Sequence, residues 1–246
     1  GARHGAALAT FGIAAFVLTV IVVEFFKGTR ARARIEGENW AVAFVHLVGR
    51  NRRRWGGYTV HAGVVIIFAG FAGAAFNHEV RQTLEPGESA LVQSPLGHSY
   101  TLTYEGMSTT RALGSNTNRN LAWQVVALLR VEKEGRPVGT LTTEKRTYIA
   151  QEQPVTEVGI RSAFLEDLYV ILSDVSDIEG ALMNEPAAQT ATFTFLVNPL
   201  VGWIWYGGMI LALGGLVALW PGPAPARLAA PQLETERIGG RVPVGA

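Results

Sequence analysis

Three apolar blocks, almost free of charge, restrict what this chain can become. Ala6 to Phe26 is 21 residues with a single charge, Glu24. At 1.5 Å rise per residue such a helix reaches about 30 Å, the thickness of a hydrocarbon core. Gly57 to Phe76 adds 20 residues whose only ionisable group is His61, and Pro199 to Trp220 carries no charge. All three are read as transmembrane helices, with spans 1–26, 57–76 and 199–220. The first is not a signal peptide: its apolar stretch exceeds an h-region, and the basic cluster follows rather than precedes it.

The charges between the blocks set an orientation. Lys27 to Gly56 holds 8 Lys/Arg against 2 acids, whereas Asn77 to Asn198 holds 9 against 15. Short basic loops stay cytoplasmic. The first helix is therefore expected to enter from outside, the second to exit and the third to return. That places residues 77–198 outside the cytoplasmic membrane and leaves 221–246, rich in Pro at its start, as a flexible cytoplasmic tail. The absence of Cys excludes thiol catalysis, disulfides and Cys-ligated zinc or iron–sulfur clusters on this chain. A net charge of +1 argues against nucleic acid as partner. The first residue is Gly1 rather than Met, which suggests a start inside a longer polypeptide.

Within the basic loop 27–56, Trp40, Phe44, Leu47 and Val48 recur at helical spacing. Two readings stand: a helix lying in the headgroup layer, or a short helix packed on its neighbours. His46 falls off that face and is expected to be solvated. From Val80 the period changes to two. Strands are expected at Val80–Leu84, Ser89–Gln93, Ser99–Tyr104, Leu121–Val131, Val138–Lys145, Leu168–Asp174 and Thr190–Leu196, separated by turn signals. The pattern predicts an extracytoplasmic all-β domain, a small barrel or sandwich, on α-helical membrane segments. His78 and His98 have no second ligand at metal spacing and are read as polar surface residues.

His61 does not fit an inert span. An ionisable group inside an apolar helix is costly and faces protein or a ligand. Small residues surround it: Gly56, Gly57, Ala62, Gly63, Ala69 and Gly70. They allow close approach of a helix or of a flat macrocycle. A lone helical imidazole suits haem iron, since porphyrin supplies four ligands; a hydrogen bond to a neighbouring helix explains it equally well.

Three stretches carry a family resemblance. They are Arg50-Asn51-Arg52-Arg53-Arg54-Trp55-Gly56-Gly57-Tyr58-Thr59-Val60-His61-Ala62-Gly63; Tyr148 through Pro154-Val155-Thr156-Glu157-Val158-Gly159-Ile160 to Asp167-Leu168-Tyr169-Val170; and Asn198-Pro199-Leu200-Val201-Gly202-Trp203-Ile204-Trp205-Tyr206-Gly207-Gly208. In this order they resemble the carboxy-terminal portion of CcmF, the membrane haem lyase component of bacterial cytochrome c maturation. The resemblance covers residues from about 6 to 220. It implies that His61 is an axial ligand of a b-type haem that supplies electrons, with quinol as a candidate donor. It further implies that the attached haem is joined to two thiols of an apocytochrome, in the bacterial cytoplasmic membrane with the β domain periplasmic. The implied partners are the amino-terminal portion of the lyase with its tryptophan-rich segment, a haem chaperone, apocytochrome c and its thiol-presenting subunit.

This chain departs from the family in lacking that tryptophan-rich segment and the second axial histidine, and in having Asn116-Thr117 where Asn-Tyr is usual. By resemblance it holds half of one haem site and does not act alone. Arg54, with Arg52 and Arg53, suits either a haem propionate or quinone contact, or a positive-inside anchor. Thr156 and Glu157 suit either a face for the haem carrier or a turn. Trp205 reads as an interface aromatic, and Trp203 is left open as packing near a cofactor. The small residues Gly207, Gly208, Gly214 and Gly215 favour tight helix packing. A non-catalytic membrane scaffold whose β domain recruits maturation partners is the alternative function. The lyase of the other bacterial maturation pathway is a third, but its motifs are not found.

Overall fold

The computed structural model describes residues 2–111, 121–149, 153–183 and 189–221. The loop holding Asn116 and Thr117, and all of the expected tail except Pro221, lie outside the described residues. Helix α1 spans Ala2–Glu36, α2 Trp40–Arg50 and α3 Arg52–Gly73, and a 3-10 turn covers Ala74–Phe76. Nine strands follow among the described residues, interrupted by a short α4 at Ile178–Met183, and α5 closes the order at Trp203–Leu219.

Helix α1 continues ten residues past the expected end of the first span at Phe26. Its basic stretch is built of Arg and Ala, which are strong helix formers, and nothing stops it before Gly37, which takes φ +65°. Hydroxyls of Thr10, Thr19 and Thr29 donate to the carbonyls one turn back, so they leave no unmet polar group on an apolar helix. Asn39 caps α2, accepting from the Ala41 N–H at 2.8 Å. Most of the expected basic loop is thus helical. Phe44 and Trp40 of α2 lie against Phe25 and Phe26 of α1, at 5.7 and 6.0 Å between ring centres. That contact favours the packed reading of α2. His46 is half exposed, as expected, and its Nδ1 lies 2.8 Å from a Glu38 oxygen.

Two described helices, His4–Glu36 and the helical run Arg52–Phe76, are long and apolar enough to cross a membrane. The third expected span begins later than the apolar block. Pro199 is the last residue of a strand paired with Glu166, and Leu200 turns the chain with φ +60°. Helix therefore starts only at Trp203, and α5 has 17 residues.

α3 and α5 meet backbone to backbone. A Cβ placed on Gly63 would lie 2.5 Å from the Leu211 nitrogen and 2.7 Å from the Gly207 carbonyl oxygen. One on Gly56 would lie 2.6 Å from the Ala218 nitrogen, and one on Gly214 2.6 Å from that of Val60. Glycines seven apart on α3 thus face glycines seven apart on α5, and only hydrogen fits between them. The tight packing expected of Gly207 and Gly214 is found, whereas Gly208 and Gly215 face open space.

The strands are β1 His78–Leu84, β2 Ser89–Gln93, β3 Ser99–Arg111, β4 Leu121–Lys133, β5 Arg136–Tyr148, β6 Val155–Glu157, β7 Gly159–Ser162, β8 Glu166–Val175 and β9 Ala191–Pro199. They form a four-stranded sheet, β1-β9-β8-β7, and a five-stranded sheet, β2-β3-β4-β5-β6. Of the two expected β architectures this is the sandwich. Alternation builds its core: Ala191, Phe193, Phe195 and Val197 point inward from β9, and Val125, Ala127, Leu129 and Val131 from β4. Seven strands were expected at these places; β6 and β7, of three and four residues, were not.

Replacing Gly63 by Leu is expected to force α3 and α5 apart and to destabilise the protein by about 2 kcal/mol or more. Gly57→Ala, on open space six residues earlier, is expected to be neutral or to stabilise by up to about 1 kcal/mol, since alanine favours the helix. Thermal unfolding of the two variants checks this, and equal midpoints would refute the packing argument.

Candidate functional site

α3 presents three different faces. Its glycines meet α5, and Trp55 and Tyr58 meet α1, where Phe25 lies 4.7 and 6.5 Å from their ring centres. The third face carries Gly57, His61, Val64 and Phe68. His61 and Phe68 are exposed, and a Cβ on Gly57 would meet nothing within 4 Å. His61 sits nine residues into the helix, about 13 Å from its start. Its Nδ1 lies 2.7 Å from the Gly57 carbonyl oxygen. A carbonyl only accepts, so Nδ1 carries the proton, and in the neutral ring the Nε2 lone pair points away from the helix. Among the described residues it has no partner, so the bond to a companion helix weighed from the sequence is not made by α1, α2 or α5.

Arg54 lies two turns before His61. One Nη donates to Glu24 of α1 at 3.0 Å, and its guanidinium carbon stands 5.1 and 5.6 Å from the ring centres of Trp55 and Tyr58. These contacts fasten α3 to α1. Trp203 is at the opposite end of the helix pair, where its Nε1–H donates to the Phe164 carbonyl at 2.9 Å and its ring lies 5.7 Å from that of Phe164. Leu200 N–H donates to the Leu165 carbonyl at 2.8 Å, so the β7–β8 turn is seated on the start of α5. Trp205 is exposed.

Thr156 and Glu157 are in β6, an edge strand, opposite Lys145 and Glu144. The Thr143 hydroxyl donates to the Glu157 carbonyl at 2.9 Å, and Arg146 lies 3.7 Å from the Glu157 carboxylate and closer to that of Glu144. They form part of a strand, so the turn reading does not apply. The structure brings His61 and Arg54 onto one helix; Trp203 and the Thr156–Glu157 pair stand elsewhere.

Among the described residues a buried charge cluster centred on Glu166, with Asp167 beside it, escaped sequence reasoning. Glu166, 2% exposed, begins β8 in the four-stranded sheet. All its side-chain partners come from the other sheet or from its β2–β3 turn. Tyr100 donates at 2.6 Å, Lys133 stands 3.4 Å away, and Ser94 and His98 make shorter contacts. His98 is therefore not an ordinary surface residue, whereas His78 is exposed as expected. A signal was present: Glu166 and Asp167 open an otherwise apolar strand, which asks for buried partners. Burial alone would raise the Glu166 pKa, but donation by Ser94, Tyr100 and His98 outweighs it and holds the carboxyl below its ordinary range. Burial pushes Asp167 and Tyr100 upward.

A depressed folded-state pKa stabilises above the unfolded value, and that stabilisation is lost as pH falls through the lower folded value. Glu166→Gln is expected to cost about 3 kcal/mol near pH 7, and the gap to the native protein should narrow on acidification below pH 4.5. Unfolding midpoints measured against pH test this; no loss at pH 7 would remove Glu166 from its place as the tie between sheets.

Comparison with known proteins follows the same outline. Residues 75–185 match the family described as the CcmF C-terminal beta-sandwich. Over 220 residues, 89% of the chain, the sequence is 30% identical to cytochrome c-type biogenesis protein CcmF of Pseudomonas fluorescens, of which it covers 28%. Against the CcmF protein of Pseudomonas aeruginosa it is 27% identical over 225 residues, again 89% of the chain and 29% of that relative. The CcmF protein of Escherichia coli is 29% identical over 168 residues, 68% of the chain and 22% of the relative. A solved structure of a cytochrome c heme lyase CcmF superposes with a TM-score of 0.53 at 21% identity, over 83% of this chain and 34% of that one, which establishes a shared fold. The chain spans less than a third of the length of these curated relatives. Residues 75–185, which hold most of the sandwich, match the CcmF C-terminal family, and the chain as a whole is similar to the carboxy-terminal portion of CcmF.

Proposed function

We propose that this chain is the carboxy-terminal part of a membrane haem lyase that attaches haem to apocytochrome c, and that His61 is one axial ligand of a b-type haem. The observation that carries the second half is the outward Nε2 of His61 on an open, apolar helix face. The Gly57 carbonyl fixes the tautomer and holds the ring, as an outer hydrogen bond does for metal-bound histidines. Gly57 leaves space at the turn where a flat macrocycle would lie, and Phe68 offers an apolar surface two turns on. The residues present therefore fit a haem. When bound, it would supply one-electron chemistry at lipid depth. The chain's own contribution is to hold the ligand, exclude water and orient the site.

In this reading α1 and α3 cross the bacterial cytoplasmic membrane with α5 packed alongside, the basic segment 27–56 is cytoplasmic, and the sandwich is periplasmic. Arg54 and Trp203 act as anchors, because their polar atoms engage Glu24 and Phe164. Thr156 and Glu157, on an exposed edge, belong to the face that meets the haem chaperone. The amino-terminal portion of the lyase supplies the tryptophan-rich segment and the second axial ligand. Apocytochrome c and its thiol-presenting subunit bring the thiols, and quinol is the candidate electron donor. The acceptor thiols belong to the substrate, in keeping with a chain that has no Cys.

Reduced-minus-oxidised spectra of the purified full-length protein test the assignment. His61→Ala is expected to abolish the b-type signal while the unfolding midpoint of the sandwich is retained. An unchanged spectrum would overturn it.

A further inference from the structure

We infer that the groove between α2 and α5, at the basic end of the helix group, binds an anionic phospholipid: one acyl chain along the groove, the phosphate on Arg50, Arg52 and Arg53. The inference rests on the membrane placement proposed above and not on the role of His61.

The groove has a volume of about 380 Å³ and is walled by Val45, Val48, Leu213, Leu216 and Trp220, with Gly49 as its floor. It runs two turns along α5, about 10 Å from Trp220 to Leu213. Nothing lies within 4 Å of a Cβ placed on Gly49. Arg52 is the one charged residue of the lining; an Nη donates to the Pro221 carbonyl at 2.6 Å, which fixes the guanidinium at the mouth with other N–H groups still to be met.

Charge selects the occupant. In the segment 27–56 eight basic residues face two acidic ones. Glu38 is engaged by Arg32 and His46, and Arg54 reaches Glu24 on α1. Among the described residues Arg50, Arg52 and Arg53 have no carboxylate partner; Arg52 lines the groove, and Arg50 and Arg53 stand within two positions of it in the chain. Guanidinium groups clustered at the end of an apolar channel match a phosphate whose tail continues into it. Trp220 at the same level suits the polar–apolar boundary. A zwitterionic lipid meets the same walls but leaves the excess positive charge unmet.

The test uses the full-length protein in nanodiscs containing photoactivatable phosphatidylglycerol or phosphatidylcholine with identical tails. Phosphatidylglycerol is expected to label Val45–Gly49 and Leu213–Trp220 preferentially. Arg50→Gln and Arg53→Gln should each lower that labelling about fivefold, and Gly49→Leu, which fills the groove with the cations kept, should abolish it. Equal labelling by phosphatidylcholine, labelling indifferent to all three substitutions, or crosslinks from the groove to another stretch of polypeptide or to a second copy would each overturn the proposal. The haem spectrum is read on the same samples. Its absence with labelling intact strikes only the His61 assignment, and loss of labelling with the spectrum intact strikes only the lipid site.

Discussion

Where Gly63 of α3 meets Gly207 and Leu211 of α5, no side chain stands between the backbones, and the same holds one heptad away at Gly56 and Gly214. The two helices run antiparallel, and the chain leaves each of them into neighbouring strands: β1 follows α3, β9 precedes α5, and the two pair from His78↔Val197 onward. Even at the junction Gly73 lies against the Pro199 carbonyl too closely for any side chain. Helix pair and strand pair are thus one continuous antiparallel unit. The sandwich has little freedom to swivel on the helices, because rotation would first have to separate backbones in contact.

That commitment decides what remains of α3. One face is taken by α5, and a second is closed by Phe25, Trp55 and Tyr58 with Arg54 bound to Glu24. The residues left over are those around His61. The imidazole is exposed in this chain because both packing partners are used on the other sides, and its own polar need is met only at Nδ1. An unpaired nitrogen on an apolar helix is costly away from water, so this face is the one on α3 with polar capacity still to be met. The small residues, read from the sequence as permissive of either a helix or a macrocycle, thus divide: Gly56 and Gly63 meet α5, and Gly57 faces open space.

Local periodicity made most of the sandwich legible. Ser89–Gln93 is found with the limits expected; β4, β5 and β8 extend beyond the expected ones by a few residues and β3 by seven, while β9 starts one residue later and ends three later, because hydrogen-bond ladders continue past the last alternating side chain. β6 and β7 were missed since three or four residues cannot show a period. The apolar block Pro199–Trp220 was read as one helix because hydropathy does not distinguish a buried strand end from a helix start. His98 was misread for a different reason. Its partner Glu166 is 68 residues away on the other sheet, and only the fold brings them together. The anomaly at His61 is visible in the sequence because a lone ionisable group in an apolar run stands out locally. The ring's outward direction is not, since it depends on which faces α1 and α5 take.

A buried carboxylate is an odd choice for joining two sheets, since well-packed apolar residues would serve stability as well or better. Its position suggests what it provides instead. Glu166 pairs through its backbone with Pro199, four residues before α5, and the turn just before it holds Trp203 through Phe164 and Leu200 through Leu165. Ser94, His98, Tyr100 and Lys133 reach Glu166 from the opposite sheet and its β2–β3 turn, so the five-stranded sheet is tied at the point where the four-stranded one is joined to the helices. Apolar contacts tolerate sliding, whereas hydrogen bonds to one carboxylate in fixed directions do not. The cluster thereby extends the rigidity of the glycine interface into the second sheet. The edge carrying Thr156 and Glu157, which belongs to that sheet, is thus held in register with the helix that carries His61 through the Glu166 cluster, through further bonds between the sheets such as Lys145 to the Ser173 carbonyl and the Leu172 N–H to the Thr143 hydroxyl, and through the glycine contacts of α3 and α5.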